Sequence, residues 1–277
     1  VFAGLILLLL TGIPIFAALG LTASAILLIV EGDVDGLGDA VYVHLNKPIL
    51  STIPLFVFMA QVMIRAKVID DLYSFAHTVI GHVKGGLGVA TVMACTIFAA
   101  ISGSSVATAL SIGSSAIPQM KRFGYAERDA LGVVAAGGTL GILIPPSVVL
   151  VIYAILAEQN IAKLFLAAFA PGILAAIGYM IVISIYVRVY PERAGTADRV
   201  PMGERFKLLW QVWPVLLVFL AVVGGIYGGV FTPTEGAAVG ALGTGLIALA
   251  NKGLNFKTML ESFTSTARSS AMIFFIV

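Results

Sequence analysis

The stretch AAISGSSVATALSIGSSAIP, residues 99–118, interrupts a chain that is otherwise strongly hydrophobic. A second run of glycine, threonine and proline, GGTLGILIPPS, follows at residues 137–147. Inside a bilayer every backbone amide and carbonyl needs a partner, so such interruptions occur only where they are buried in protein or line a water-filled cavity. Two breaks close together in sequence are typical of transporters, which build binding sites from helix ends and unwound backbone.

The composition indicates an all-α polytopic membrane protein. The 277 residues are 60% hydrophobic and 11% charged, whereas soluble domains carry about a quarter charged residues. The mean hydropathy is +1.06, and apolar runs reach the roughly 20 residues that cross a bilayer. The net charge of +2 gives no indication of nucleic-acid binding. The first 30 residues are too long for a signal peptide and predict a full span.

Further spans are predicted along the chain. They cover residues 1–30 (with a kink at 12–14), 48–64, 129–157, 161–187, 210–230 and 234–250, and a last one begins near Arg268. An acidic connection occupies residues 31–47, and the mixed pattern of 69–83 predicts a helix lying in the membrane interface. Because the final apolar run reaches the last residue, we expect this chain to be a piece of a longer protein.

Residues 85–120 allow two interpretations. Two complete crossings would leave arms of about 16 residues, short of the roughly 20 that a span needs. A re-entrant hairpin would instead place residues 102–105 at its turn, where glycine and serine tolerate unusual dihedral angles. Arm length favours the hairpin.

The basic residues predict the orientation. Fourteen lie on one predicted side and only Lys47 and Lys163 on the other, so the first side is cytoplasmic by the positive-inside rule. The fourteen are Arg65, Lys67, Lys84, Lys121, Arg122, Arg128, Arg188, Arg193, Arg199, Arg205, Lys207, Lys252, Lys257 and Arg268. Arg122 and Arg128 are interpreted as topology determinants. Two complete crossings at residues 85–120 would leave the same basic residues on each side, so this count does not distinguish them from the hairpin.

Other notable side chains have structural interpretations. Cys95 is predicted to serve packing, and Trp210 and Trp213 are predicted to be interface anchors. Glu235 suits a helix N-terminus, with contact to a partner protein or a mobile domain as the alternative. Three histidines occur without metal-ligand spacing: His44, His77 and His82.

A weak internal repeat is present. AALG at residues 17–20 resembles AAVG at 237–240, and residues 51–58 align with 269–276 at nearly the same offset. About five crossings separate the copies, and an odd number inverts the second. Inverted repeats are a common transporter architecture, with the binding site between them. A second hairpin and a second broken helix are therefore expected outside this chain.

Four motifs in this order resemble the large membrane subunit of TRAP (tripartite ATP-independent periplasmic) transporters, the DctM/SiaM family. They are PIFAALG (14–20), the hairpin sequence at 99–118, the break at 137–147 and FTPTEGAAVGA (231–241). The resemblance implies an elevator-type, sodium-coupled importer of small organic acids, such as a C4-dicarboxylate or sialic acid, in the bacterial inner (cytoplasmic) membrane. It also implies two partners, a small four-helix membrane subunit and a periplasmic substrate-binding protein. The family's large subunit is considerably longer than this chain.

The predicted fold divides the chain into four parts. Scaffold helices and an interfacial arm helix occupy residues 1–84, and half of the transport domain occupies 85–157. The latter comprises the re-entrant hairpin 85–120 and the discontinuous helix 129–157. Residues 158–232 supply connecting helices, and 233–277 begin the second, inverted repeat.

The chemistry of the breaks predicts the binding residues. Free carbonyls at helix C-termini suit a hard cation, and amides at helix N-termini suit a carboxylate. The glycines at 137–141 are expected to loosen the helix and the prolines to stop it. Predicted sodium ligands are Ser102, Gly103, Ser104, Ser105, Gly137, Gly138, Thr139 and Gly141. Predicted substrate contacts are Ser104, Ser105, Thr139, Pro145 and Pro146. The alternative is that these small residues only let helices pack closely.

Other function classes are weighed against a permease. A single-component sodium-coupled organic-anion transporter of the same architecture would need no binding protein. The spans lack the paired acids or nucleophile–base arrangements of an enzyme, and no phosphate-binding loop indicates an ATP-driven pump. A passive scaffold would not need two costly helix breaks, and an ion channel would conduct without sodium dependence or saturation.

Overall fold

A computed structural model describes residues 2–30, 32–66, 68–195, 201–251 and 253–276, without the side chains of His44, Val68 and Ile276. These residues form α-helices and no strand. The α-helices are α1 (Phe2–Leu10), α2 (Ile15–Val30), α3 (Asp35–Leu45), α4 (Thr52–Arg65), α5 (Val68–Ile80), α6 (Gly86–Ser102), α7 (Ser105–Arg122), α8 (Glu127–Leu143), α9 (Val148–Leu156), α10 (Ile161–Val189), α11 (Met202–Tyr227), α12 (Pro233–Ala250) and α13 (Phe256–Ile276). Short 3-10 turns lie at Pro48–Ser51 and Pro191–Arg193.

The first of two compact units comprises Val1–Ser51 and Ala267–Val277. Its helices α1 and α2 are separated by a sharp turn in which Gly12 has a φ of +81°. The kink expected at residues 12–14 is therefore a complete interruption of the helix. Within α1 and α2, both described throughout, Ala18 is the one fully buried side chain. Helix α3 lies within the stretch that we expected to be a connection.

The second unit, Thr52–Thr266, is built around α6, α7 and α8. Helices α6 and α7 form an antiparallel hairpin. At its open end the Thr91 Oγ1 lies 3.5 Å from the Met120 Sδ, and at its turn the hydroxyls of Ser102 and Thr108 are 2.8 Å apart. The helices contain 17 and 18 residues, which corresponds to about 26 and 27 Å of length.

The expectation that the glycines at 137–141 loosen the helix was wrong. Helix α8 continues through them to Leu143, and the chain leaves the helix only at residues 144–147 before α9 begins with a bend of 42°. Each glycine costs a helix only about 1 kcal/mol relative to alanine. Pro145 and Pro146, in contrast, lack amide hydrogens and clash with the preceding turn. The helix therefore ends at the prolines.

Two other expectations had different outcomes. The helix predicted at residues 69–83 is α5, whose Leu72, Tyr73 and Ala76 are buried in the unit; its position at the membrane interface stays a prediction. The last helix begins at Phe256 rather than near Arg268. The prediction placed the start too late because the residues between Phe256 and Arg268 are largely polar. The hydroxyls of Ser262 and Thr264 donate to carbonyls one turn back along the helix, so these residues do not interrupt it.

Several elements are long and apolar enough to cross a membrane. By length and composition these are Pro48–Arg65, Ile161–Val189 and Met202–Tyr227, with the bent pair α8–α9 as a fourth. These elements agree with a multi-pass helical membrane protein. The rings of Trp210 and Trp213 on α11 lie 5.7 Å apart between centroids and are tilted by 34°. Of the basic residues counted for orientation, Lys67, Arg199 and Lys252 lie outside the described residues.

Glu235 completes a capping box at the start of α12. Its carboxylate accepts from the Thr232 amide at 2.8 Å, and the Thr232 hydroxyl accepts from the Glu235 amide at 3.3 Å. We expect Glu235→Ala to lower the stability of the full-length permease by about 1 kcal/mol, measured by thermal unfolding. Glu235→Gln keeps the acceptor and is the matched control. If Glu235→Gln preserves stability yet impairs uptake, the charge contacts a partner and capping is not its only role.

Candidate binding site at two helix breaks

The turn of the hairpin is held by its own hydroxyl and carbonyl groups. Gly103 ends α6 with a φ of +59°, a left-handed conformation that favours glycine. The Ser104 hydroxyl caps α7 by accepting from the Ala107 amide at 3.3 Å. The Thr108 hydroxyl donates to the Ser104 carbonyl at 2.8 Å and is hydrogen-bonded to Ser102. The turn is thus fixed by contacts on both of its sides.

This turn packs directly on the break between α8 and α9. The Val148 amide donates to the Gly103 carbonyl at 3.2 Å, which joins the two breaks by a backbone hydrogen bond. A Cβ atom on Gly103 would lie 2.6 Å from the Pro146 carbonyl oxygen. A Cβ atom on Gly141 would lie 2.6 Å from the carbonyl carbon of Ser104. The ends of four helices therefore meet at one place.

The electrostatics of this place come from backbone groups. No acidic or basic side chain occurs in residues 85–120 or 130–157. The N-termini of α7 and α9 carry partial positive charge, and the C-termini of α6 and α8 carry partial negative charge. Both kinds of helix end lie beside each other here, so the site offers donors for an anion and acceptors for a cation.

The carbonyls at the end of α8 are left without their usual partners. In a continuous helix the Gly141 and Ile142 carbonyls would accept from residues 145 and 146, but both positions are proline and have no amide hydrogen. Across the described residues no other amide donates to these two carbonyls. Buried carbonyls are rarely left unpaired, so these oxygens are available as ligands.

Amides at the two N-termini are also partly free. The Ser147 hydroxyl caps α9 by accepting from the Leu150 amide at 3.4 Å. Within the part of the chain that the structure describes, the Ser105 and Val106 amides of α7 have no protein acceptor, and neither has the Val149 amide of α9. Such amides are suited to binding a carboxylate.

The predicted site residues divide into two groups. Those brought together are Ser102, Gly103, Ser104, Ser105, Gly141, Pro145 and Pro146. Gly137 instead faces the Cys95 side chain of α6, and Gly138 faces Ala109 of α7. Thr139 is exposed, and its hydroxyl lies 3.0 Å from that of Tyr179 on α10. The tight contacts of Gly137 and Gly138 support the close-packing interpretation for these two, and the ligand role of Thr139 stays a prediction.

Sequence reasoning missed three contributors to the site. Ser147 precedes an apolar helix, which is a signal for an N-cap that could have been recognised. Thr108 and the Val148 amide had no comparable signal. Their importance depends on the contact of the hairpin turn with a segment about 40 residues away in sequence.

The chain resembles known proteins over its whole length. A model of the family described as "Tripartite ATP-independent periplasmic transporter, DctM component" matches residues 2–277. The C4-dicarboxylate TRAP transporter large permease protein DctM of Pseudomonas aeruginosa is 40% identical over 235 residues, covering 84% of this chain and 54% of that protein. The protein of the same name from Rhodobacter capsulatus is 32% identical over 293 residues, covering 100% and 66%.

A relative named for another solute is similarly close. The ectoine/5-hydroxyectoine TRAP transporter large permease protein UehC of Ruegeria pomeroyi is 34% identical over 284 residues, covering 100% of this chain and 64% of that protein. The chain spans from about half to two thirds of the length of these curated relatives.

Proposed function

The chain belongs to the DctM family, the large permease component of tripartite ATP-independent periplasmic transporters, and from this we propose that it forms half of the transport site of a sodium-coupled importer. The observation that carries the proposal is the hydrogen bond between the Gly103 carbonyl and the Val148 amide. It joins two helix breaks, so a cation and an anion can be bound at adjacent helix ends.

The sodium ion in this proposal is bound by oxygen atoms on both sides of the contact. Residues 102–105 supply hydroxyls and carbonyls at the hairpin turn. The Gly141 and Ile142 carbonyls supply oxygens that Pro145 and Pro146 leave unpaired. Hard cations prefer such oxygen ligands, and no charged side chain is needed.

The substrate in this proposal is a small organic acid. Its carboxylate is bound by the free amides at the start of α7 and α9, beside Ser104 and Ser105. Relatives named for C4-dicarboxylate and for ectoine support a small carboxylate-bearing solute. The remainder of the site is contributed by the inverted second repeat in the full-length protein.

The hairpin is proposed to be re-entrant from the cytoplasmic side. Its turn contacts residues 146–148, and α9 continues from Val149 to Leu156 beyond that level, which is about 12 Å. The turn therefore stops short of the far end of the α8–α9 element, as a re-entrant hairpin would. We further propose that residues 85–157 move as a unit in an elevator cycle in the inner membrane.

The partners follow from the family. A small four-helix membrane subunit would support the permease, and a periplasmic binding protein would deliver the organic acid. The test uses full-length permease with both partners in proteoliposomes, and it measures uptake of labelled organic acids with and without an inward sodium gradient. Uptake that needs neither sodium nor the binding protein would contradict the proposal.

Replacing both Pro145 and Pro146 with alanine gives a sharper test. The new amides would donate to the Gly141 and Ile142 carbonyls, and each such hydrogen bond contributes about 1 kcal/mol. Because sodium must displace both, we expect the sodium concentration for half-maximal uptake to rise about thirtyfold. Pro214→Ala makes the same chemical change inside α11 and is expected to leave sodium dependence unchanged. If the proline double variant and Pro214→Ala change the sodium concentration for half-maximal uptake equally, the Gly141 and Ile142 carbonyls are excluded as sodium ligands.

A further inference from the structure

A cleft with one apolar and one basic part lies between α8 and α10. It has a volume of about 340 Å³. Its wall is formed by Gly132, Val133, Ala136, Val182 and Ile183. Gly132 has no neighbour within 4 Å of its Cβ position, so the cleft is open at this point of α8.

The polar end of the cleft positions a guanidinium group. The Tyr186 hydroxyl donates to Asp129 Oδ1 at 3.2 Å and accepts from Arg193 Nη1 at 2.9 Å. The Arg193 guanidinium also lies 5.2 Å from the centre of the Tyr190 ring. Arg128 lines the same end, and in the described ranges neither arginine forms an ion pair. The lining of this end holds two arginines and one carboxylate, that of Asp129, and the carboxylate of Glu192 adjoins Arg193 outside the lining.

The outer face of α10 continues the apolar wall. Val182 at the rim of the cleft is 63% exposed, and Leu174 and Ile185 are 69% and 53% exposed. Helix α10 has 29 residues and is long enough to span a membrane. In the proposed orientation its arginine-bearing end is cytoplasmic. The cleft thus opens where lipid chains would lie, with its basic end at the headgroup level.

We propose that this cleft binds an anionic phospholipid of the cytoplasmic leaflet. The headgroup phosphate is bound between Arg128 and Arg193, and one acyl chain lies along Val133 and Val182. Basic pockets between spanning helices suit anionic headgroups. A free anion would contact only the arginines, whereas a ligand that has both an anionic headgroup and a hydrocarbon chain would contact both parts of the cleft. The proposal rests on the membrane orientation given above and is independent of the transported solute.

The experiment uses full-length permease in nanodiscs of phosphatidylcholine containing a minor fraction of phosphatidylglycerol. Retained lipid is identified by native mass spectrometry. We expect phosphatidylglycerol to be retained preferentially, and each of Arg128→Ala and Arg193→Ala to lower its affinity about fivefold. Gly132→Leu should narrow the cleft where it is open on α8 and weaken the preference without changing any charge.

Two variants serve as matched controls. Arg122→Ala removes an exposed basic residue at the end of α7, and Gly178→Leu adds a side chain to α10 at a position with no neighbour within 4 Å. Neither lines the cleft, so both should retain phosphatidylglycerol normally. Sodium-driven uptake is measured separately, so a failure of the transport proposal does not affect the lipid result.

Three results would overturn the proposal. The first is phosphatidylglycerol retention that the cleft variants leave unchanged. The second is equal competition by soluble glycerophosphoglycerol, which would indicate an anion site that makes no use of the apolar wall. The third is a cleft inaccessible to lipid because the remainder of the full-length chain covers it.

Discussion

Gly103→Ala is expected to lower the stability of the full-length permease by about 3 kcal/mol and to abolish uptake. Gly103 has a φ of +59°, which costs about 1–2 kcal/mol for a residue with a Cβ atom. The added atom would also lie 2.6 Å from the Pro146 carbonyl oxygen and 3.2 Å from the Ser147 Cα. These neighbours are backbone atoms, so the turn itself must move and the hydrogen bond to the Val148 amide would be lost.

Gly124→Ala is the matched control for this effect. Gly124 has a φ of +84° and no neighbour within 4 Å of its Cβ position. It therefore carries the dihedral penalty of about 1–2 kcal/mol alone. Comparing the thermal unfolding of the two purified variants separates the dihedral penalty from the cost of the close contacts at Gly103. If Gly103→Ala is no more damaging than Gly124→Ala, the hairpin turn does not pack on the α8–α9 break.

Gly141→Ala is expected to have the second-largest effect, a loss of about 2–3 kcal/mol with uptake reduced at least tenfold. A Cβ atom there would overlap the Ser104 carbonyl oxygen and lie 2.8 Å from the Ser105 amide nitrogen. It would push the start of α7 away from the carbonyls proposed to bind sodium. The backbone on both sides is helical or capped and has little freedom to adjust.

A graded series on α8 tests this reasoning. At Gly138 the Ala109 Cβ lies at 2.7 Å and the next atoms only at 3.3 Å, so Gly138→Ala makes one severe contact where Gly141→Ala makes three, and it should be milder. At Gly132 nothing lies within 4 Å, and alanine should stabilise the helix by about 0.5–1 kcal/mol. Uptake that falls equally in all three variants would show that general helix propensity, and not the contact with the hairpin turn, controls activity.

The location of the breaks was predictable because it depends on local chemistry. Pro145 and Pro146 end α8 wherever that helix packs, and residues 102–105 form a turn because glycine and serine tolerate it. Most of the helix predicted at residues 69–83 was also predictable from the spacing of apolar residues, although α5 ends at Ile80. The start of α13 was mispredicted because serine and threonine in a helix can satisfy their hydroxyls on the preceding turn.

By itself, the sequence determined the membrane class, the order of the apolar helices, the two interruptions and the family. These follow from composition and from which residues can continue a helix. Only the tertiary structure decided that the turn at Gly103 contacts the break at Val148, that Gly141 faces this contact, and that Thr139 points toward Tyr179 instead. The reason is that helices pack through whole faces, and which face of α8 meets the hairpin depends on side chains distributed over several elements.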